Sequence, residues 1–369
     1  RGMEAPMTMA AAQSQGERVM AAAAPLVAMG GTPYLYLNAF GAVAMTLPAG
    51  RVNDVYALST VAAVDEDLVM RVSATSGFQG YLSTAQIASA MGFNEMYVQG
   101  MTGNDIDIYY LDSGGVSGIG RSSMVSADGG TSPVAVYPHG EAVGWLMVKL
   151  APEARVHSIK VLDEYGMGRT STVLQGLEMA LLAEPDAEVI NMSLGVTGGV
   201  WDSLAKACDI AVRQYGVMIV ASAGNTGSVE LSPASSPYVV GVGALTSDLK
   251  IAPYSARTFD VAAVGDVQAM WGGMVRPLSG TSFSAPQVSA ALACYASGSG
   301  VDARSLDEFA LLEKTAVESY DGYLMLQGSA LAVEEAAVNP SPLVSSAGWV
   351  AATIGTGAVG IFLVRKEES

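Results

Sequence analysis

Cysteine is almost absent from this chain. Its 369 residues include two, Cys208 and Cys294. Two cysteines cannot build a disulfide framework, and they lack the CxxC spacing of a structural zinc site. Each lies in an apolar, helix-prone run, where a free cysteine usually behaves as a small buried hydrophobic residue. We therefore expect two buried thiols without a chemical role.

Basic residues are also scarce. Lys and Arg number 18 against 35 Asp and Glu, for a net charge of −17, and no basic run occurs. Nucleic-acid binding needs clustered Lys and Arg, so no nucleic-acid partner is expected. The chain has two histidines and no HExxH motif, which disfavours a zinc hydrolase. It also lacks the GxSxG motif of α/β-hydrolases. No metal or cofactor is predicted.

Apolar residues make up half of the sequence, enough for a sizeable core, and their patterning divides the chain. Residues 1–72 follow a helix, strand, helix, strand pattern, which predicts a small α+β domain. Residues 73–83 begin as a small, polar, Gly-containing linker. In residues 84–335 short apolar runs alternate with helical stripes, which predicts a parallel sheet with helices on both faces. The predicted strands of that α/β domain are 106–111, 156–162, 189–194 and 217–221.

Two local signals refine these regions. Residues 34–47 are strand-like throughout and end at Pro48. Ser83 and Gln86 have the spacing of a capping box, which predicts a short helix that ends near Gly92.

The C-terminal part has no charged residue between Ala336 and Val364. Residues 336–342 contain two prolines and are predicted to be a stiff linker. Residues 343–364 are apolar and long enough to span a bilayer, which predicts a transmembrane helix. Arg365 and Lys366 follow, so residues 365–369 are predicted to be a cytoplasmic tail and the rest extracytoplasmic. No secretory signal is visible after Arg1.

The two histidines differ in context. His157 lies inside an alternating strand run, where a satisfied or exposed strand residue is the ordinary interpretation. His139 is followed by Gly140 and an apolar helical run, a setting that displays a side chain at the start of a helix. His139 is therefore the stronger candidate for a catalytic base.

Three further segments carry candidate chemistry. Asp112 ends the apolar run IDIYYL, and the carboxyl ends of parallel strands are where such sheets place their sites. Ser282, in SGTSFSAP, precedes an apolar helix whose N-terminus favours an oxyanion. Asn225 follows another apolar strand, and its amide would serve as an oxyanion donor. Alone, the Asp-Ser-Gly sequence at Asp112 is more typical of a turn, and its value comes from the other segments.

Together these segments resemble the subtilisin-like, or subtilase, family of serine proteases over about residues 84–335. The resemblance rests on GTSFSAP, PHG, SAGNTG and YYLDSGG, in the family's chain order of Asp, His and Ser. It implies a three-layer α/β endopeptidase with Asp112, His139 and Ser282 as the catalytic triad and Asn225 in the oxyanion hole. Its partners would be peptide or protein substrates.

The resemblance also assigns the walls of a substrate cleft. Gly166, Met167 and Gly168 match one strand that clamps the substrate, and Ser193, Leu194 and Gly195 match the opposite strand. Ser222, Ala223 and Gly224 match the floor of the primary specificity pocket. These small residues predict a pocket that tolerates sizeable apolar side chains. Residues 1–72 resemble the family's inhibitory propeptide, which implies self-cleavage between about residues 72 and 80.

Some positions depart from the family pattern. Glu141 stands where many members have a second histidine, Gln287 replaces another histidine, and Ser113 replaces the usual threonine. Structural calcium occurs in the family, but no acidic ligands for it are recognisable here, so no metal is assigned. The alternative function is a catalytically silent subtilase-like binding or scaffold module at the cell surface. A fluorophosphonate probe distinguishes it from an enzyme with an activated serine.

Overall fold

A computed structural model gives the architecture of the chain. It describes residues 9–58, 61–72, 80–115, 123–127, 132–197, 202–299, 303, 316–318, 324–326 and 361–366. The helices, in chain order, are α1 (Met9–Ala28), α2 (Val52–Val55), α3 (Thr84–Ala90), α4 (Phe93–Val98), α5 (His139–Leu150), α6 (Thr170–Leu181), α7 (Ser203–Ile210) and α8 (Thr281–Gly298).

The strands are numbered in the same way. They are β1 (Thr32–Leu37), β2 (Ala42–Leu47), β3 (Ala63–Glu66), β4 (Val69–Arg71), β5 (Asp107–Asp112), β6 (Met124–Ser126), β7 (Arg155–Lys160), β8 (Met167–Arg169), β9 (Val189–Met192), β10 (Met218–Ser222), β11 (Val240–Leu245), β12 (Val261–Val264), β13 (Asp266–Trp271), β14 (Met274–Ser279), β15 (Ala316–Glu318), β16 (Leu324–Leu326) and β17 (Ile361–Lys366).

A nine-stranded sheet forms the centre of the larger domain. Its strand order is β15-β16-β12-β11-β10-β9-β5-β7-β6, and all pairs are parallel except β15 with β16. Its central strands are buried along their whole length, which explains why they are mostly apolar in the sequence.

Helices cover both faces of this sheet. One buried cluster joins α3, α4, α5 and α8 to one face, and a second joins α6 and α7 to the other. Strand β5 serves both clusters by alternation, with Ile108 and Tyr110 in the first and Tyr109 and Leu111 in the second. The predicted three-layer α/β domain is confirmed. The capping box is confirmed too, since Ser83 caps α3 through Gln86.

Residues 34–47 form two strands rather than the one that was expected. β1 and β2 pair antiparallel through a turn at residues 38–41. Gly41 has a φ of +62°, a conformation that glycine adopts without strain and that reverses the chain. The apolar residues on both sides of Asn38 and Gly41 concealed this turn in the sequence.

The smaller sheet has the order β1-β2-β17-β3 and lies between two helices. Val19, Ala23 and Leu26 of α1 pack on one face, and Leu37 and other residues near the opposite face join the cluster around α6. Two carboxylates fix this docking: Asp67 accepts hydrogen bonds from Ser171 N and Oγ at 2.9 and 3.0 Å, and Glu178 accepts one from Ala39 N at 2.6 Å. The N-terminal region is therefore seated on the larger domain.

The C-terminal predictions fall mostly outside the described residues. This holds for the linker 336–342 and for residues 343–360 of the predicted membrane helix. For residues 361–364 the helix prediction is wrong, because Ile361–Lys366 form β17, parallel to both β2 and β3. An apolar, partly β-branched segment suits a strand with neighbours on both sides. In the described part of the chain, no helix is long and apolar enough to cross a membrane.

Both cysteines are buried and unpaired, as predicted. Burial raises the pKa of both thiols.

Candidate active site

Asp112 and His139 meet at the carboxyl end of β5. Asp112 is its last residue, and His139 is the first residue of α5; both are fully buried. His139 Nδ1 lies 2.9 Å from Asp112 Oδ1 and 3.0 Å from Oδ2. The carboxylate also accepts a hydrogen bond from Ser113 N at 2.7 Å. The acid is thereby fixed as the partner of one ring nitrogen.

A close approach between α5 and the end of β5 sets this geometry. Gly140 N donates to Ser113 Oγ at 3.0 Å, and Ser113 Oγ donates to Tyr137 O at 2.7 Å. A Cβ at position 140 would lie 2.1 Å from Gly114 O, so only glycine allows the contact. Ser113, a replacement for the family's threonine, still supplies the bridging hydroxyl.

Ser282 lies in the first turn of α8, next to Ser193. Its Oγ donates to Ser193 O at 3.2 Å, and Ser193 Oγ donates to Ser282 O at 2.8 Å. The preceding Gly280 has a φ of +152°, which opens the strand-to-helix turn. Asn191 and Ser289 complete this network, because Asn191 Nδ2 donates to Ser193 Oγ and Ser289 Oγ donates to Asn191 Oδ1. Sequence reasoning missed these two buried residues.

The second ring nitrogen of His139 is unbonded in the described part of the chain, and its ring lies next to the residue that follows Ser282. His139 Nε2 is buried and has no hydrogen-bond partner among the described residues. The His139 ring contacts the ring of Phe283, at 5.6 Å between centroids. The hydroxyl of Ser282 donates to Ser193 O in this structure, and His139 and Ser282 are not hydrogen-bonded to each other.

Asn225 is held beside Ser282 through its side-chain oxygen. Oδ1 accepts hydrogen bonds from Thr281 N at 2.9 Å and from Thr281 Oγ1 at 3.0 Å. Thr281 directly precedes Ser282, so these bonds tie the orientation of the amide to the start of α8.

The two predicted cleft walls hold a strand of the chain itself. β4 pairs antiparallel with β8, and Val72 N donates to Gly166 O at 3.1 Å. On the other side Arg71 forms a bridge to Gly195. The third predicted segment lies next to this cleft, since Gly224 N donates to Thr281 Oγ1 at 3.2 Å. The three predicted segments therefore converge around β4 and the start of α8.

Comparison with known proteins places this arrangement in a family. The model of the Subtilase family, Peptidase_S8, matches residues 122–329. Subtilisin E of Bacillus subtilis is 31% identical over 285 residues, 70% of this chain and 71% of that protein. The chain belongs to the subtilase family. Proteinase R of Parengyodontium album is also similar, 27% identical over 296 residues and 72% of each chain. This subtilase is a serine-type endopeptidase.

In this subtilase, Glu141 holds the β13–β14 hairpin next to His139 through hydrogen bonds. Its carboxylate accepts hydrogen bonds from Gly272 N at 2.5 Å and Gly273 N at 3.1 Å, in the turn between β13 and β14. The turn places the Trp271 ring edge-on to His139, at 6.4 Å between centroids. Glu141, which stands where many family members have a second histidine, thus has a structural role. Only the Trp-Gly-Gly sequence hinted at this turn.

A second Ser–His–Asp chain lies at the opposite end of β5. Ser123 Oγ is 2.7 Å from His157 Nδ1, and His157 Nε2 is 2.7 Å from Asp107 Oδ1. Arg155 binds the same carboxylate at 2.9 and 2.5 Å. Burial acts to raise the pKa of Asp107, but the hydrogen bonds from His157 and Arg155 outweigh it and hold that pKa below its usual value. Because Arg155 already neutralises the Asp107 carboxylate, we assign this Ser–His–Asp group a structural role. This agrees with the interpretation of His157 as a satisfied strand residue.

Within the described ranges, no three His, Cys, Asp or Glu side chains converge as metal ligands would. The assignment of no metal stays a prediction.

Proposed function

We propose that this subtilase hydrolyses peptide bonds through Asp112, His139 and Ser282. His139 Nε2 takes the proton from Ser282 Oγ as that oxygen attacks the substrate carbonyl, and Asp112 holds Nδ1–H and stabilises the imidazolium. The proton then passes to the leaving amine, which departs from the acyl-enzyme. Water repeats the sequence and releases the acid product.

The observation that carries this proposal is the state of His139. Its Nδ1 is bonded to a buried carboxylate, and its buried Nε2 has no partner among the described residues. Neutral imidazole with one nitrogen fixed as a donor leaves the other as an acceptor, which a general base requires.

The Asn225 amide and the Ser282 N–H are the proposed oxyanion donors. Ser282 N is one of the first backbone donors of α8, and these donors have no partner within the helix. The bonds of Asn225 Oδ1 to Thr281 support this role, because an amide fixed before the reaction needs no reorganisation in the transition state.

Residues 1–72 are the proposed inhibitory propeptide. The proposal is supported by β4, which pairs with β8 and bridges Gly195 as a bound substrate strand would. The Arg71–Gly195 bridge is antiparallel, so a strand continued in this register has its residue 73 position opposite Ser193. Because Ser193 O accepts the Ser282 hydroxyl, the first bond expected to be cut is Ser73–Ala74.

Intact mass spectrometry of the full chain tests the zymogen and the nucleophile together. The wild-type chain is expected to split after residue 73 or within residues 72–80, whereas Ser282→Ala stays whole. Ser123→Ala is the matched control, because it removes the hydroxyl of the other Ser–His–Asp chain, and it should split like wild type.

Each other outcome has a distinct meaning. If wild type and Ser282→Ala both stay whole, the propeptide role fails, and labelling by a fluorophosphonate then decides the nucleophile. A chain that neither splits nor reacts at Ser282 is the catalytically silent module, with the Ser282–Ser193 hydrogen bond as its resting state.

We also propose an extracytoplasmic enzyme held at the membrane by its C-terminal segment. The absence of charged residues from 343–364 supports it, whereas the pairing of Ile361–Lys366 with β2 and β3 argues against an anchoring helix that includes residues 361–364. After expression with a secretory signal, the full chain is expected to stay with membranes in a carbonate wash, while residues 1–342 are released. If the carbonate wash releases the full chain as well as residues 1–342, the anchor proposal is wrong and the strand arrangement of residues 361–366 is favoured.

A further inference from the structure

We propose that Leu231 fills the primary specificity pocket and restricts this protease to small acyl residues, meaning the residue whose carbonyl is attacked. The inference rests on the proposed function, because it takes Ser282 as the nucleophile. Leu231 lies in the loop after Asn225, and neither the family match nor the sequence motifs assign it a role.

One glycine of the pocket floor, Gly224, and one glycine of the adjacent wall, Gly195, face the same leucine. A Cβ built on Gly224 would lie 2.8 Å from Leu231 Cγ and 2.9 Å from Cδ1. A Cβ built on Gly195 would lie 3.0 Å from Leu231 Cβ and 3.3 Å from Cδ1. The space that these glycines leave by lacking side chains is therefore occupied by the side chain of Leu231.

The backbone fixes the leucine in this position. Leu231 N donates to Ala223 O at 2.9 Å, which ties it to the pocket floor. The next residue, Ser232, exchanges hydrogen bonds with Val196 at 2.9 and 3.0 Å, which ties the loop to the wall that contains Gly195. Hydrogen bonds to the pocket floor and to this wall leave the Leu231 side chain little freedom to withdraw when a substrate binds.

The register of β4 brings the acyl residue to this place. Arg71 is opposite Gly195, and a substrate strand that keeps this antiparallel register would have its acyl residue, two positions later, opposite Ser193, whose carbonyl accepts the Ser282 hydroxyl. The side chain of that substrate residue would then enter between residues 193–195 and 222–224, the space that Leu231 occupies. Small wall residues alone predicted room for large side chains; Leu231 reverses that expectation.

The chain's own cleavage region agrees with a narrow pocket. The four residues after Val72 are Ser73, Ala74, Thr75 and Ser76, none larger than threonine. Whichever of the bonds that follow them is cut, the acyl residue is small.

Competition between two peptides in one tube tests the inference. The peptides are identical except for Ala or Phe as the acyl residue, and mass spectrometry gives their relative kcat/KM, which does not depend on the fraction of active enzyme. With the self-processed full chain, we expect wild type to favour Ala by about 100-fold, since each methylene in a pocket is worth roughly 10-fold or more. Leu231→Ala should bring the ratio to about 1 or below, and Leu231→Val should fall between them.

Val229→Ala is the matched control, because Val229 lies on the same loop and is 60% exposed; its ratio should equal that of wild type. Equal cleavage of both peptides by wild type, or an unchanged ratio in Leu231→Val and Leu231→Ala, overturns the inference. If Leu231→Ala does not fold, the wild-type ratio and Leu231→Val decide alone. Failure of the proposed function looks different, because wild type then cleaves neither peptide faster than Ser282→Ala does.

Discussion

His139→Ala is expected to lower kcat for peptide hydrolysis by about 10⁶-fold, and adding Ser282→Ala should lower it no further. The base and the nucleophile act in one step, so removing either removes the whole covalent route. What remains is the contribution of the oxyanion donors and of substrate binding, about 10³-fold over water. The measurement is single-turnover hydrolysis of a small-residue peptide by the single and double variants.

The other histidine supplies the control. His157→Ala removes the partner of Ser123 and Asp107, at the end of β5 away from Ser282. Its kcat should stay within about threefold of wild type, although its melting temperature should fall, because it leaves buried polar atoms unpaired. A double variant whose loss equals the product of the two single losses would contradict the proposed relay, since independent groups multiply.

The fold and the chemistry-bearing segments were largely predictable from the sequence. A mostly apolar run such as β5 predicts a buried parallel strand, and the residue at its carboxyl end, Asp112, lies where such sheets bind ligands. His139 and Ser282 each precede an apolar helical run, which places them at helix starts. The family model and relatives bear out the α/β fold and the protease class. The catalytic roles themselves stay predictions.

Contacts between distant loops were not predictable. Glu141 meets Gly272 across 131 positions, and no period or motif connects them. Leu231 is close to Gly195 only because its loop returns to Val196, a bridge that depends on tertiary folding. The substrate preference inferred from the glycines alone was accordingly the opposite of the one inferred from the packed pocket.

The turn between β1 and β2 shows a second limit. Residues 34–47 are mostly apolar, and a turn at residues 38–41, with a positive φ at Gly41, divides them into two strands. The second Ser–His–Asp group is a related case. The alternation of residues around His157 predicted the strand that carries it. The register of β5 with β7, which the sequence does not show, places His157 beside Tyr109 and near Asp107.

Asp112→Asn is expected to lower kcat by about 10⁴-fold with little change in KM. Asparagine keeps the size of the carboxylate but cannot stabilise the imidazolium, and its amide group can donate to Nδ1 and turn His139 into the wrong tautomer. The two atoms that carry this effect are Asp112 Oδ1 and Oδ2, at 2.9 and 3.0 Å from Nδ1. Because the loss is in the transition state, raising the substrate concentration should not restore the rate.

Asp107→Asn is the matched substitution at the other end of the same strand, and it should reverse the balance of effects. It breaks the bonds from Arg155 and His157, so unfolding should become easier by about 2 kcal/mol at neutral pH, while kcat stays near that of wild type. The pKa of Asp107 is lowered on folding, so its stabilisation is present above the unfolded pKa and is lost as the pH falls through the folded one. The stability gap between wild type and Asp107→Asn should therefore close in acid. If Asp107→Asn instead cost as much kcat as Asp112→Asn, the two Asp–His pairs would not have the separate roles assigned to them.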